Sequence, residues 1–258
     1  MPYKVIRYEL NDGVAVITLN RPDVMNALNT QMRAELLEAI NRASAEARVL
    51  VLTGAGRAFC SGQDLGDGAA AAGLDLERVL RDEYEPMLKA IYNAPIPVIS
   101  AVNGPAAGAG ANLALAADVV IAAESAIFMQ AFARIGLMPD AGGTYWLPRQ
   151  VGFARAMGLA MFTDKVTARE AADWGLIWEA VGDVDFDHHW RARAAHLAKG
   201  PTAAFRAIKE AMRASYSNTL EDQLELEAQL QGKLGASHDF REGVLAFLEK
   251  RPAQFEGR

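Results

Sequence analysis

The sequence predicts an α/β body followed by an all-helical C-terminal region. Short, almost wholly apolar runs at 49–53, 98–102 and 119–122 read as strands buried on both faces. Segments with helical spacing lie between them, the alternation that builds a sheet with parallel pairing. From about residue 187 onward only helical periodicity is left.

Residues 3–10 and 14–19 are β-rich and flank Asn11-Asp12-Gly13, a strong hairpin signal. Residues 30–45 read as an amphipathic helix, with Met32, Leu36, Leu37 and Ile40 at helical spacing and Asn29 or Thr30 as its cap. The strand at 49–53 runs into a glycine-rich loop, 54–68, and then an alanine-rich patch expected to be mobile. A second helix is expected over about 74–90. After the strand at 98–102 come a glycine-alanine turn at 104–110, a helix at about 111–117 and the strand at 119–122. Helices near 190–199, 202–214, 220–234 and 239–250 are separated by Gly200-Pro201, Asn218 and Gly235. The expected division is 1–195 for the α/β body and 196–258 for the helical region.

The 258 residues are 51% hydrophobic and 22% charged, with a formal net charge of -6, the composition of a globular protein with a sizeable core. Basic residues are scattered, which argues against nucleic acid or an anionic membrane surface as partner. Cys60 is the only cysteine, so no internal disulfide forms. The start of the chain does not read as a secretory signal. The longest apolar stretch, around 113–123, is interrupted by Asp118 and too short to span a bilayer. A cytoplasmic location is the expectation.

Two segments carry the pattern of anion sites. In Arg57-Ala58-Phe59-Cys60-Ser61-Gly62-Gln63-Asp64-Leu65, Gly62 permits a tight turn that exposes the Gln63 N–H. In Asn103-Gly104-Pro105-Ala106-Ala107-Gly108-Ala109-Gly110, small side chains precede a helix start with its unsatisfied N–H groups. Either loop alone serves equally well as a plain structural turn.

Together, in this order and spacing, they resemble the crotonase (enoyl-CoA hydratase/isomerase) superfamily. Further matches are the runs from Asn20-Arg21-Pro22 to Leu28, from Ala94-Pro95 to Gly104, and from Gly136-Leu137 to Gly143-Thr144. The resemblance covers essentially the whole chain. It implies a spiral of repeated ββα units, an acyl-CoA thioester as substrate, and no cofactor or metal, since coenzyme A belongs to the substrate. It also implies that the main-chain N–H groups of Gln63 and Ala109 hold the thioester carbonyl oxygen. Met25, Ala27, Ser61, Gly62, Asp64, Leu65, Gly108, Asn112, Phe132 and Pro139 would then line the substrate's site.

Hydratases of this superfamily carry two glutamates, and the matching positions here are Asn112 and Phe132. A two-glutamate hydration is therefore not expected. Asp140 is the carboxylate left in the right region, where isomerases of the family can place an acid. Read alone, an aspartate after proline is more ordinarily a helix cap; with both glutamate positions vacant, an acid/base role is the better reading.

Phe132 and its neighbours over 128–137 would make the acyl end of the site dry and suited to a flat cyclic group, although core packing is the commoner use of such residues. Tyr145 and Trp146 share that ambiguity. Asn112 could bond the substrate or a water, but a helix-surface amide is the plainer reading. Cys60 has no histidine near it in sequence, and His188, His189, His196 and His238 lack ligand spacing.

Within the superfamily, residues 108–149, 175–178 and 239–251 resemble the ring 1,2-epoxyphenylacetyl-CoA isomerases of phenylacetate degradation. That implies an isomerase with Asp140 as acid/base, and a homotrimer or homohexamer with the C-terminal helices at subunit contacts. A Δ3,Δ2-enoyl-CoA isomerase of linear chains, a hydratase-like enzyme, and a non-catalytic acyl-CoA- or RNA-binding protein are the alternatives.

Overall fold

The computed structural model describes residues 2–66 and 75–258. The chain opens as the expected hairpin of β1 (Ile6–Asn11) and β2 (Val14–Leu19). Asp12 and Gly13 both take positive φ, 50° and 78°, the turn that the Asp-Gly pair favours. Helix α1 (Thr30–Glu46) follows, with the Asn29 side chain accepting from the Met32 N–H as its cap. It leads into β3 (Val49–Gly54), which pairs parallel to β2. The end of the expected loop and the alanine-rich patch lie outside the described residues.

The helix expected over 74–90 is three pieces. They are α2 (Leu76–Val79), a π turn at Leu80–Tyr84, and α3 (Glu85–Asn93). Pro86 has no N–H to donate one turn back, and the Glu85 N–H reaches Leu80 O instead, which widens the turn. β4 (Val98–Val102) and a two-residue β5 (Ala106–Ala107) precede α4 (Ala109–Leu115). That helix begins two residues before the expected start, so Ala109 is its first residue.

Next come β6 (Val119–Ala123), β7 (Ile127–Met129), a 3-10 turn at Ala131–Ile135 and the long helix α5 (Gly143–Phe162). β8 (Val166–Thr167), α6 (Ala168–Asp173) and β9 (Glu179–Val181) complete the body. β5 and β7 to β9 are two or three residues long, too short for periodicity to announce them.

The main sheet runs β1-β2-β3-β4-β6-β9, parallel except at the first pair, and a small sheet runs β5-β7-β8. Burial on both faces holds as expected. Leu50, Leu52, Val98 and Val102 pack with Met32, Leu36, Met87 and Ile91 on one side. Val49, Val51, Ile99 and Ala101 pack on the other against Phe186, Trp190, Ala194 and Ala198 of α7 (Phe186–Ala198). The expected division at 195 thus falls inside a helix that covers the sheet.

Beyond it lie α8 (Thr202–Ala214), α9 (Leu220–Gly235) and α10 (His238–Glu249). Helix α8 is fastened to the body by Lys209 and Arg213, which grip Asp118 at 2.7 and 2.6 Å. Among the described residues no helix is long and apolar enough to cross a membrane.

Candidate active site

The two glycine loops meet. Gln63 forms a parallel bridge with Leu28, in which Leu28 N–H donates to Gly62 O (2.8 Å) and Asp64 N–H to Leu28 O (3.1 Å). That pattern turns the N–H of Gln63 itself away from Leu28. Cys60 bridges Ala106 in the same manner. Gly62, at φ 96°, sits so tightly on the second loop that a Cβ there would lie 2.8 Å from Ala107 O and 3.4 Å from Ala109 N. Gly108 has φ 53° and ψ -128°, a conformation open to glycine, and it swings the chain so that Ala109 enters α4 as its first residue. Among the described residues neither the Gln63 nor the Ala109 N–H donates to a main-chain carbonyl outside the regular elements. Two neighbouring amides are left for an incoming oxygen.

The segment over 20–28 braces this wall. Asn26 is fully buried, accepts from Arg21 N–H and donates to the carbonyls of Ala55 and Ala58. Met25 and Asn26 both carry positive φ. Arg21 joins Asp64 at 2.7 Å, and Ser61 donates from its N–H to Met25 O and from its hydroxyl to Val24 O. Ser61 and Asp64, expected to line the substrate's site, use these groups to tie the 20–28 segment to the first glycine loop. Ala27 is buried, whereas Met25 (37% exposed) and Leu65 (68% exposed) stand at the surface.

Asp140 occupies a turn in which Ala141 and Gly142 both take positive φ and the Gly143 N–H closes on Asp140 O at 2.8 Å. Its carboxylate does not cap α5; the cap position is Gly142, with no side-chain bond. Oδ1 of Asp140 is buried without a partner. Burial pushes this carboxyl up to about 6, with its own N–H pulling weakly the other way. An acid of that strength exchanges protons near neutral pH.

Asn112 corrects an expectation. It is not a surface amide but fully buried, donating to Asp140 O (2.8 Å) and accepting from Gln130 Nε2 (2.8 Å). Both ends of its amide are engaged inside the protein, so it holds the Asp140 turn one helical turn from Ala109. Phe132 is nearly buried, and the end of its ring lies 3.7 Å from where a Gly108 Cβ would be. The aromatic face therefore adjoins the second glycine loop. Pro139 is buried, and an apolar cavity of about 400 Å³ opens against it, lined also by Leu137, Met138, Phe153 and Met157.

Trp146 packs between Tyr92 and Tyr145 with its indole nitrogen unpartnered beside Gly142. Cys60 is fully buried and its thiol is pushed up to about 12 by that burial, which leaves no thiolate for catalysis. His189 bonds Glu179, and His238 lies 3.5 Å from Asp239.

The site also contains residues that sequence patterns did not single out. Arg33, on α1, donates from Nη1 to Leu28 O and to Gln63 Oε1, and pairs with Glu83 at 2.6 Å. Tyr84, on the π turn, donates to the same Gln63 Oε1 at 2.7 Å. The available signal was spacing: Arg33 shares a helix face with Leu36 and Ile40, and Tyr84 with Met87 and Ile91, all buried.

A family model described as enoyl-CoA hydratase/isomerase matches residues 9–258. A Rhodobacter capsulatus protein named "Probable enoyl-CoA hydratase" is 72% identical over 258 residues, 100% of each chain. The Escherichia coli "1,2-epoxyphenylacetyl-CoA isomerase" is 47% identical over 95% of this chain and 96% of its own. A crystal structure of an enoyl-CoA hydratase from Bacillus anthracis superposes with a TM-score of 0.91 at 33% identity, covering 99% of this chain and 100% of that one.

Proposed function

The chain belongs to the enoyl-CoA hydratase/isomerase family, and on that premise we propose that it is an acyl-CoA isomerase. The observation that carries this reading is the inventory of carboxylates. Asn112 and Phe132 stand where hydratases carry glutamates, and Asn112 is engaged at both ends. Among the described residues, Asp140 is the one carboxylate with a buried, unpartnered oxygen. The Rhodobacter relative is named a hydratase and the Escherichia coli one an isomerase; among the described residues no second carboxylate is buried without a partner, which favours the latter for this chain.

The cycle runs as follows. The thioester carbonyl oxygen accepts hydrogen bonds from the Gln63 and Ala109 amides. The Asp140 carboxylate takes a proton from the carbon next to the carbonyl, and the freed electron pair moves through that carbon to the carbonyl oxygen. The enolate's charge rests against the two amides, each such donor supplying ~3 kcal/mol of transition-state stabilisation. Asp140, now a carboxylic acid, returns the proton further along the conjugated system, and the carbonyl re-forms. No atom is gained or lost. Phe132, buried against the Gly108 turn, keeps the acyl end of the site dry, which favours proton return over attack by water.

Acyl groups that fit are ring 1,2-epoxyphenylacetyl and unsaturated chains whose double bond shifts towards the thioester. In the ring compound the proton leaves the methylene beside the carbonyl and arrives at a ring carbon as the oxepin forms. Coenzyme A enters as part of the substrate. A homotrimer or homohexamer belongs to the same proposal, and the exposed Phe240, Leu245, Phe247 and Leu248 on α10 supply apolar area for contacts. The test is a side-by-side assay of the ring-epoxide thioester, a linear 3-enoyl-CoA and crotonyl-CoA. Isomerisation of either of the first two with negligible hydration of the third is expected; efficient hydration of crotonyl-CoA would refute the assignment.

A further inference from the structure

The oxyanion amide of Gln63 is carried by a residue whose side chain is itself held. Its Oε1 accepts from Arg33 Nη1 at 2.9 Å and from the Tyr84 hydroxyl at 2.7 Å. Arg33 is 2% exposed and Tyr84 3%. The same Arg33 Nη1 donates to Leu28 O at 2.6 Å, so one guanidinium holds both partners of the Leu28–Gln63 bridge. Glu83 completes the arrangement, bonding Arg33 through Nε at 3.0 Å and Nη2 at 2.6 Å. Arg33 also lies against the Tyr84 ring, 4.9 Å from its centroid.

A buried guanidinium is expensive unless fully paired, and an apolar side chain would fill the same space at lower cost. Its retention beside an oxyanion amide calls for a role that packing does not supply. The π turn provides the geometry, since it brings Glu83 and Tyr84, adjacent in sequence, to bear on the same guanidinium. π turns often mark functional positions.

We infer that Arg33, Glu83 and Tyr84 form a positioning clamp on the Gln63 side chain, which fixes the direction in which the Gln63 main-chain N–H points. An oxyanion donor works only where it is aimed at the developing charge, so a fixed donor stabilises the transition state more than a wandering one. Tyr84 suits the task because burial raises its phenol above the ordinary range; the Arg33 charge opposes that rise and the Asp140 carboxylate adds to it. The hydroxyl stays a donor across the working pH range. None of the three residues is assigned contact with substrate. They act through Gln63.

This inference rests on the acyl-CoA site proposed above. Its test uses the full-length protein with Tyr84→Phe, which removes one hydroxyl, and Gln63→Met, which removes the side-chain amide but keeps the main-chain N–H. Three quantities are read: kcat and KM for the isomerised thioester, the thermal midpoint, and the infrared carbonyl band of bound phenylacetyl-CoA carrying 13C at the thioester carbon. Wild-type protein should shift that band to lower frequency than in free solution, the mark of a carbonyl gripped by donors. Both variants should keep KM within about twofold, lose about 10-fold in kcat, a fraction of the loss for a deleted donor, and show a smaller band shift. A normal wild-type shift with unchanged kcat and band position in both variants would overturn the clamp alone. A wild-type band that does not move on binding would overturn the oxyanion assignment and the clamp with it.

Discussion

The two walls of the site are built on opposite terms. On the oxyanion wall almost every polar group of the supporting residues is used: Asn26 makes three bonds, Arg33 bonds Leu28, Gln63, Thr30 and Glu83, and Arg21 ties to Asp64. The result is a fixed frame with two main-chain amides left over. On the facing wall Asp140 has its main-chain carbonyl held twice, by Asn112 and Gly143, while a carboxylate oxygen is buried with nothing to bond. One wall gains stability from satisfaction; the other gives some up at a carboxyl that the proposed cycle uses as its proton carrier. The turn around Asp140 also carries Ala141 at φ 47°, a left-handed backbone that costs a non-glycine residue energy.

The largest effect expected comes from the unsatisfied wall. Asp140→Asn should lower isomerase turnover at least ~100-fold, the scale of a lost general acid/base, with thioester affinity kept. It should also stabilise the fold. Because the carboxyl is raised to about 6 in the folded state, folding binds its proton more tightly than the open chain does. The stability contributed by the protonated form is complete below the ordinary carboxylate range and is lost as pH rises to about 6. Urea titrations should therefore find Asp140→Asn more stable by ~1 kcal/mol at pH 8, after solvent screening, and no more stable near pH 4. A variant that loses activity and stability together would erase the contrast between the walls.

Gly108→Ala attacks the satisfied wall. The added Cβ would meet the Phe132 ring at an ordinary contact distance, so the damage comes from the backbone: alanine resists φ 53° and ψ -128°, and leaving that conformation misdirects the Ala109 N–H. We expect kcat to fall by about 100-fold, as for a deleted oxyanion donor, and trimming the ring in a second Phe132→Leu substitution should not restore it. Restoration would place the fault in crowding instead.

Asn112→Ala probes the join between the walls. It frees Asp140 O from one of two donors and leaves Gln130 Nε2 without its acceptor. Turnover should drop about 10-fold, less than a full loss of the acid/base, and the thermal midpoint should fall, since the variant leaves buried polar groups unpaired. An unchanged kcat would mean that the Asp140 turn holds itself.

The first five strands of the main sheet and the terminal helices were legible because their signals are long or chemically distinct, whereas three-residue β9 at its edge was not. The Asp12-Gly13 turn, the doubly buried runs and the Asn29 cap each follow from local propensity. The two glycine loops that meet were legible as glycines at fixed spacing. Asn112 was not, since a single amide gives no sign of whether its helix face is covered; the start of α5 and Gln130, just past β7, cover it, and both arrive from distant sequence. Arg33 and Tyr84 were missed because a charge or phenol on an apolar helix face reads as an imperfection until its partners appear, and Gln63 is 30 residues from one and 21 from the other.

Exchange of carbon-bound hydrogen isolates the central step from later chemistry. The methylene protons of phenylacetyl-CoA, followed by NMR in D2O with catalytic protein, report proton removal beside a thioester that has nowhere further to react. Wild-type protein should exchange them at a rate that climbs with pH through about 6, where the Asp140 carboxyl ionises, and Asp140→Asn should be slower by at least ~100-fold. Exchange at an undiminished rate in Asp140→Asn would contradict the account.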